Sequence, residues 1–448
     1  MTAATSPSES ILGRFSRHTT WLTLARVGEV GLMFGQVLIA ARLLPLAAFG
    51  TWVTVTTTGF VIYQIFAVRT GEVLLRFLPE YQAADDPQGA FRAVRWSYGL
   101  SLLGGVVAAL LLLILAPPMA TMLLKQPESE ELFQVYALVA LLSALQEPTL
   151  ALLRLSHHYG SVALFSFSTA LARFVLVTFA GWWFGSPLAL IWGLVAATII
   201  TQLWIAYAAT WQWHSFRRAA SYGSDREEDR LGLDRRKWTF LAWNQLSFTI
   251  ASAGASLDTI LLAWIAGPAV VGPYDVARRI AKQSVVLTAP MVDALYPELT
   301  RLWVVQDLEG LQRLLRRISM LVFGVAVVVC SVAFLVAPWL VGLFGSRFDD
   351  SVRLLRILEW QWLMIPLFWG VPLLLITGRG RLAFLLGLAD LGLLLLILPP
   401  FAHQWGPAGM AWGMLVRGGL WTALLLAASV GSLRKEPRAR SGEPSAKC

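Results

Sequence analysis

Apolar residues in this chain do not alternate with polar ones. They gather into runs of about twenty, the length an α-helix needs to cross a hydrocarbon core. Twelve runs can be drawn, at 20–43, 50–74, 94–117, 132–153, 160–181, 186–210, 239–266, 272–297, 317–342, 353–377, 382–402 and 407–430. Turn chemistry separates them at Gly185-Ser186-Pro187, Gly267-Pro268, Gly378-Arg379-Gly380 and Gly406-Pro407. The pattern predicts an all-α integral membrane protein with twelve transmembrane helices. The longest connection, 211–238, is charged and lies mid-chain. It divides the chain into a six-helix lobe (1–210), a basic linker (211–238), a second six-helix lobe (239–433) and a tail (434–448).

Composition narrows the class. Of 448 residues, 57% are hydrophobic and only 14% charged, and the mean hydropathy is +0.64. Soluble domains carry about 25% charged residues. A soluble enzyme, a disordered chain and a disulfide scaffold are therefore excluded. The net charge of +9 does not point to nucleic acid, because the basic residues sit in short loops between apolar runs. Of the 36 Lys and Arg residues, 24 fall in one alternating set of connections and 2 in the other. That bias predicts a multi-pass membrane protein with both termini and the 211–238 linker in the cytoplasm. Trp182, Trp183, Trp211, Trp213, Trp238, Trp303 and Trp339 lie near predicted span ends, where tryptophan anchors helices at the interface. Arg14 and Arg17 precede the first run. That run continues to about Leu44, too long for a signal-peptide core.

Catalytic and cofactor chemistry finds no foothold. Cys330 and Cys448 are isolated thiols, and His157–His158 are adjacent residues that cannot share a helix face, so no metal site is expected. No phosphate-binding loop, dinucleotide fingerprint or nucleophile elbow occurs in a plausible context. The chain reads as no enzyme and as needing no cofactor.

The two halves resemble each other. Phe49-Gly50-Thr51-Trp52 matches Val271-Gly272-Pro273-Tyr274, and Leu78-Pro79-Glu80 matches Tyr296-Pro297-Glu298. Ile191-Trp192-Gly193 matches Ala411-Trp412-Gly413, and His158-Tyr159-Gly160 falls opposite Gly378-Arg379-Gly380. All four occur in order at offsets of 218 to 222 residues. Six helices per half give both copies the same topology, a parallel repeat about a pseudo-twofold along the membrane normal, as transporters use.

Several of these residues carry a family resemblance. Ala41-Arg42-Leu43-Leu44, Phe49-Gly50 and Leu75-Arg76-Phe77-Leu78-Pro79-Glu80-Tyr81 resemble the opening of polysaccharide flippases. These are the O-antigen and exopolysaccharide exporters of the multidrug/oligosaccharidyl-lipid/polysaccharide exporter superfamily. Asp258, Gly272-Pro273-Tyr274, Ala277-Arg278, Pro297 and Leu343-Phe344-Gly345 continue the resemblance, with Phe348 where the family pattern has Tyr. The resemblance implies a two-lobed bundle that carries polyprenyl-diphosphate-linked oligosaccharide from the inner to the outer leaflet for lipopolysaccharide or exopolysaccharide synthesis. Its partners would be the lipid-linked glycan, the bilayer and other biosynthesis proteins such as a polymerase.

Charges inside the spans supply the candidate site. A charge at mid-bilayer costs at least about 2.5–3.5 kcal/mol, so it needs a partner or a watery cavity. Guanidinium forks suit phosphate oxygens. Arg26, Arg69, Arg173, Arg278, Arg279, Lys282 and Arg417 are the candidates to bind an anionic substrate, with Arg26, Arg69, Arg173, Arg278 and Arg417 expected to line one inter-lobe cavity. Asp258, Glu29 and Asp390 are the candidates for ion coupling, Asp258 on a stripe with Asn244, Ser247, Ala251 and Gly254. Asp275 can pair locally with Arg278 or Arg279, and Asp349 and Asp350 with Arg353 and Arg356. A cation-coupled multidrug antiporter of the same superfamily is the nearest alternative. Its drug site should be mainly acidic and aromatic. A membrane glycosyltransferase or polymerase is the second, opposed by the short outward loops.

Overall fold

The computed structural model describes residues 11–221, 235–286, 289–367 and 369–435, and among them every regular element is helical. The side chains of 11–26, 283–294 and a few others, the middle of the 211–238 linker and most of the 434–448 tail lie outside the described residues.

The chain forms two compact units, Met1–Ser252 and Ala253–Cys448. The first contains α1 (Ile11–Leu43), α2 (Leu46–Phe66), α3 (Thr70–Ala83), α4 (Pro87–Met119), α5 (Glu130–Leu142), α6 (Gln146–Leu155), α7 (Tyr159–Phe184), α8 (Pro187–Ser221) and nearly all of α9 (Arg235–Gly254). The second contains α10 (Leu257–Ala266), α11 (Pro268–Val286), α12 (Ala289–Val304), α13 (Leu308–Gly342), α14 (Asp350–Leu358), α15 (Gly370–Ile376) and α16 (Gly380–Lys435). The division falls later than the expected 238/239 boundary because α9 packs into the first unit. Phe240 stacks edge-on against Phe77 at 5.6 Å and Trp238 against Trp96 at 5.3 Å.

Among the described residues, seven helical stretches are long and apolar enough to cross a bilayer: Leu46–Ala83, Pro87–Leu124, Pro127–Leu155, Tyr159–Phe184, Pro187–Ala220, Leu308–Gly342 and Gly380–Gly431. The pair α9 and α10 makes an eighth if read as one broken span. The last stretch holds two of the expected runs, joined by a kink at Gly406, whose φ of 58° suits a residue without a Cβ.

Several expected spans are interrupted rather than single helices. The run 50–74 stops at Phe66 and restarts at Thr70, 239–266 stops at Gly254 and restarts at Leu257, and 272–297 divides between α11 and α12. The run 353–377 is α14, a 3₁₀ stretch Glu359–Leu367, and α15. Hydropathy records apolar length. It does not record continuity, which here depends on whether partners exist for the freed backbone groups.

In the first unit α1 packs along α7 and α7 along α8, while α4 packs against α5, α3 and α8. Gly193 permits the α7–α8 contact, since a Cβ there would lie 2.8 Å from the Leu176 carbonyl oxygen. Leu74, Leu78, Val94 and Leu152 form a buried core at the α3–α4–α6 junction. Beside it the Tyr98 hydroxyl donates to Gln212 Oε1 at 2.9 Å, and Gln212 Nε2 donates to the Thr149 carbonyl at 3.2 Å. In the second unit α11 packs on α14, α10 on α16, and α13 on Glu359–Leu367. Leu299, Leu311, Trp369 and Leu373 form its inner core. Of the expected anchoring tryptophans, Trp182, Trp183 and Trp339 are well exposed, whereas Trp213 packs on Phe91 at 5.0 Å and Trp303 joins the Leu299 core.

Candidate functional site

Two clusters of charged residues inside the spans lie at helix interruptions. An interruption strands backbone N–H and C=O groups that a continuous helix would pair, and in an apolar setting each must find another partner.

In the second unit the helix stops at Gly254, and the Ala255 carbonyl becomes an acceptor for two cations. Arg278 Nη2 donates to it, and Lys282 Nζ donates to it at 2.7 Å. Arg278 also meets Asp258, with Nε 2.6 Å from Oδ2. The same oxygen accepts from the Tyr274 hydroxyl at 2.8 Å. Tyr274, Arg278 and Lys282 recur every four residues and so share one stripe of α11. Asp258 and Tyr274 are fully buried. One residue round the helix, Arg279 pairs with buried Asp275. Among the described residues three cations thus face two carboxylates, and Lys282, the exposed member, donates to a neutral carbonyl.

The first unit carries a counterpart at the α2–α3 interruption. Arg69 Nη2 lies 2.7 Å from Glu72 Oε1, Nη1 lies 3.8 Å from Glu147 Oε1, and the guanidinium sits 4.1 Å from the centre of the Phe248 ring. Gln245 of α9 closes the gap in the helix. Its Oε1 accepts from the Arg69 N–H at 3.0 Å, and its Nε2 donates to the Ile65 carbonyl at 3.0 Å. Here one cation faces two carboxylates.

The remaining expected residues are dispersed. Arg417 Nε approaches Asp390 Oδ1 at 3.6 Å in the second unit. Arg173 is half-buried midway along α7, and Glu29 is half-buried in α1. The side chain of Arg26 lies outside the described residues. Of the five arginines expected around one cavity, Arg69, Arg278 and Arg417 are engaged by acids of their own unit. Arg278 and Asp258, read from the sequence as separate substrate and ion candidates, form one buried pair. Asp258 does not continue the Asn244–Gly254 stripe, because the helix ends before it and its neighbours come from α11. The local pairs expected of Arg353 and Arg356 with Asp349 and Asp350 do not form among the described residues.

Glu147, Gln245, the Tyr274 hydroxyl and the Ala255 carbonyl were not singled out from the sequence. Glu147 was legible as a carboxylate inside the fourth apolar run. Tyr274 stood in the Gly272-Pro273-Tyr274 motif without its partner, and Gln245 and Ala255 carry no local signal, since all three act on groups 16 to 180 residues away.

The profile of a family described as "Polysaccharide biosynthesis protein" matches residues 15–303, most of the chain. The chain belongs to this family. No curated protein matches it closely enough to count as a relative. Among solved structures, this chain is similar to an inward-facing multidrug resistance MATE family transporter of the MOP superfamily (TM-score 0.73, 17% identity, covering 91% of this chain and 95% of that one). It is also similar to a MOP superfamily transporter from Pyrococcus furiosus, whose binding pocket of reversed polarity suggests a different function for that protein (TM-score 0.65, 17% identity, 93% and 95% covered). A Vibrio cholerae MATE transporter matches at TM-score 0.62 and 18% identity, with 94% and 98% covered. At these identities the likeness establishes the fold, which is that of MOP superfamily transporters. The family and fold agree with the resemblance carried by the Leu75–Tyr81 and Gly272–Arg278 motifs.

Proposed function

We propose that this membrane transporter is a flippase that moves polyprenyl-diphosphate-linked oligosaccharide from the inner to the outer leaflet of a bacterial cytoplasmic membrane by alternating access. The observation that carries the reading is the uncompensated cation of the Asp258–Arg278–Lys282 cluster. A diphosphate oxygen is a stronger acceptor than the Ala255 carbonyl, and bonds between charged groups are worth about twice neutral ones. Lys282 is the group that exchanges the carbonyl for phosphate. Arg278, held by Asp258, keeps α11 in register while it does so. A polysaccharide-synthesis family and a transporter fold both fit an amphiphilic, anionic glycan carrier.

Coupling is assigned to Asp258. A proton or Na⁺ arriving there competes with Arg278 for the carboxylate and loosens the clamp on Ala255. Asp390, paired with Arg417, and Glu29 are secondary positions. Twelve spans, two lobes about a pseudo-twofold and cytoplasmic termini complete the proposed topology.

A second reading has its own observation. The acidic, aromatic surroundings of Arg69 (Glu72, Glu147 and Phe248) have the composition expected of a site for organic cations, and two of the similar structures are MATE transporters. The deciding experiment measures transfer of a fluorescent polyprenyl-diphosphate glycan between leaflets of proteoliposomes containing the intact chain, alongside efflux of a lipophilic cation against a proton or Na⁺ gradient. Glycan transfer that falls in Lys282→Gln supports the flippase. Cation efflux without glycan transfer moves the assignment to a multidrug antiporter.

A further inference from the structure

A cavity of about 420 Å³ is lined wholly by residues of the second unit. Its walls come from α13 (Phe334), α14 (Arg353, Arg356, Ile357), the 3₁₀ stretch (Trp360) and α16 (Trp412). Two guanidinium groups therefore enter a mostly apolar, aromatic hollow. Arg356 lies over the Phe334 ring at 4.5 Å, and its Nε makes a long 3.4 Å contact with the Phe334 carbonyl. Arg353 is exposed. Asp349 also lines the hollow, yet neither arginine reaches a carboxylate at ion-pair distance among the described residues. Arg278, Arg279 and Arg417 of the same unit each have such a partner.

Depth follows from helix rise. Phe334 precedes the end of α13 at Gly342, Arg356 follows the start of α14 at Asp350, and Trp412 follows the Gly406 kink. At 1.5 Å per residue each lies on the order of 10 Å from its helix end. The charge bias of the loops assigns those ends to the outer side. This is the depth of the headgroup boundary, where arginine keeps its charge wet and its stem in hydrocarbon. Beside Phe334, α13 exposes Val328, Val332, Leu335 and Trp339, one continuous helical stripe that hydrocarbon chains must cover.

We propose that this cavity binds the phosphate of an anionic membrane phospholipid from the outer leaflet, through Arg353 and Arg356, with the acyl chains laid along the Val328–Trp339 stripe of α13. The apolar walls with only two charged donors fit a phosphate-bearing amphiphile. A glycan would call for more carboxylate and amide partners than Asp349 alone.

The test uses the full chain purified in detergent and challenged with phosphatidylglycerol, phosphatidylcholine or inorganic phosphate, with bound lipid read by native mass spectrometry. Phosphatidylglycerol is expected to stay bound, and phosphatidylcholine and millimolar inorganic phosphate not to compete. Arg353→Gln with Arg356→Gln is expected to weaken retention about tenfold or more, the scale of losing charged hydrogen bonds. Arg353→Lys with Arg356→Lys should keep part of it and controls for folding. Equal retention of both lipids, or retention unchanged in the double Gln variant, overturns the headgroup site. Displacement by inorganic phosphate overturns the lipid as its source. Because the readout is lipid binding, it is independent of what the transporter carries.

Discussion

Gln245 bridges both sides of the gap between α2 and α3, accepting from the Arg69 backbone N–H and donating to the Ile65 carbonyl, each at 3.0 Å. One side chain from a helix 176 residues away thus replaces backbone bonds that a continuous helix would make. A stranded backbone group out of water costs about 1–3 kcal/mol. Gln245→Leu strands both groups and is expected to lower the melting temperature clearly. Gln245→Glu keeps the acceptor but loses the donor, and should fall between. An unchanged melting temperature for Gln245→Leu would show that water reaches the gap.

The Asp258–Arg278 pair is buried, so its halves are worth more together than singly. Removing one partner of such a pair costs about 3–5 kcal/mol, because the other charge is left unpaired. Asp258→Asn and Arg278→Gln should each destabilise strongly, and the double variant should be less harmful than the two effects added. Tyr274→Phe removes one hydrogen bond to the carboxylate and should cost about 1.5–3 kcal/mol. A double-mutant cycle on thermal stability in one detergent measures the coupling. A coupling near zero would contradict the buried pair.

Lys282 separates structure from transport. It is exposed and donates to a carbonyl that Arg278 also serves. Lys282→Gln is therefore expected to leave the melting temperature almost unchanged. If the flippase reading holds, glycan transfer should drop by about an order of magnitude, the loss of one charged contact to phosphate. Lys282→Arg should restore most of it. Full transfer by the Gln variant would remove Lys282 from the substrate path.

The repeated Trp-Gly motif makes a paired prediction. A Cβ at Gly193 would meet backbone atoms, the Leu176 oxygen at 2.8 Å and the Val177 Cα at 2.9 Å. At Gly413 the nearest atom, Phe401 Cβ, is at 3.4 Å. Gly193→Ala must push α7 and α8 apart and should cost about 1–3 kcal/mol, as overpacking does. Gly413→Ala should be tolerated. The two melting temperatures, measured side by side, check whether equivalent positions of the repeat carry equal packing.

The sequence made the class, the family and most interruptions between spans legible, because Gly267, Gly378 and Gly406 sit where the chain leaves helical geometry. It did not disclose the breaks inside spans. Ala253-Gly254-Ala255-Ser256 contains no proline, and Gly254, a weak helix former, does not stand out from glycines such as Gly31, Gly59 and Gly105 that lie in unbroken helix. The explanation is tertiary: the freed Ala255 carbonyl is served by Arg278 and Lys282, more than twenty residues further on. The same holds for α9, whose place in the first unit follows from Gln245, Phe240 and Trp238 rather than from the position of the linker. Among the candidate charges, residue type was readable from sequence, but partnership was not. Arg69 was expected to offer charge to a ligand and instead has two carboxylates of its own.

The first helix of the first half, α1, runs unbroken from Ile11 to Leu43, whereas the matching stretch of the second half is cut between Gly254 and Leu257. A continuous helix resists bending along its whole length. A cut one yields at a single point, with a stiffness set by the ionic grip that spans it. These two matching stretches are thus unequal springs: α1 is stiffened by backbone bonds that salt and substrate do not touch, its counterpart by side-chain charges that a competing ion can soften.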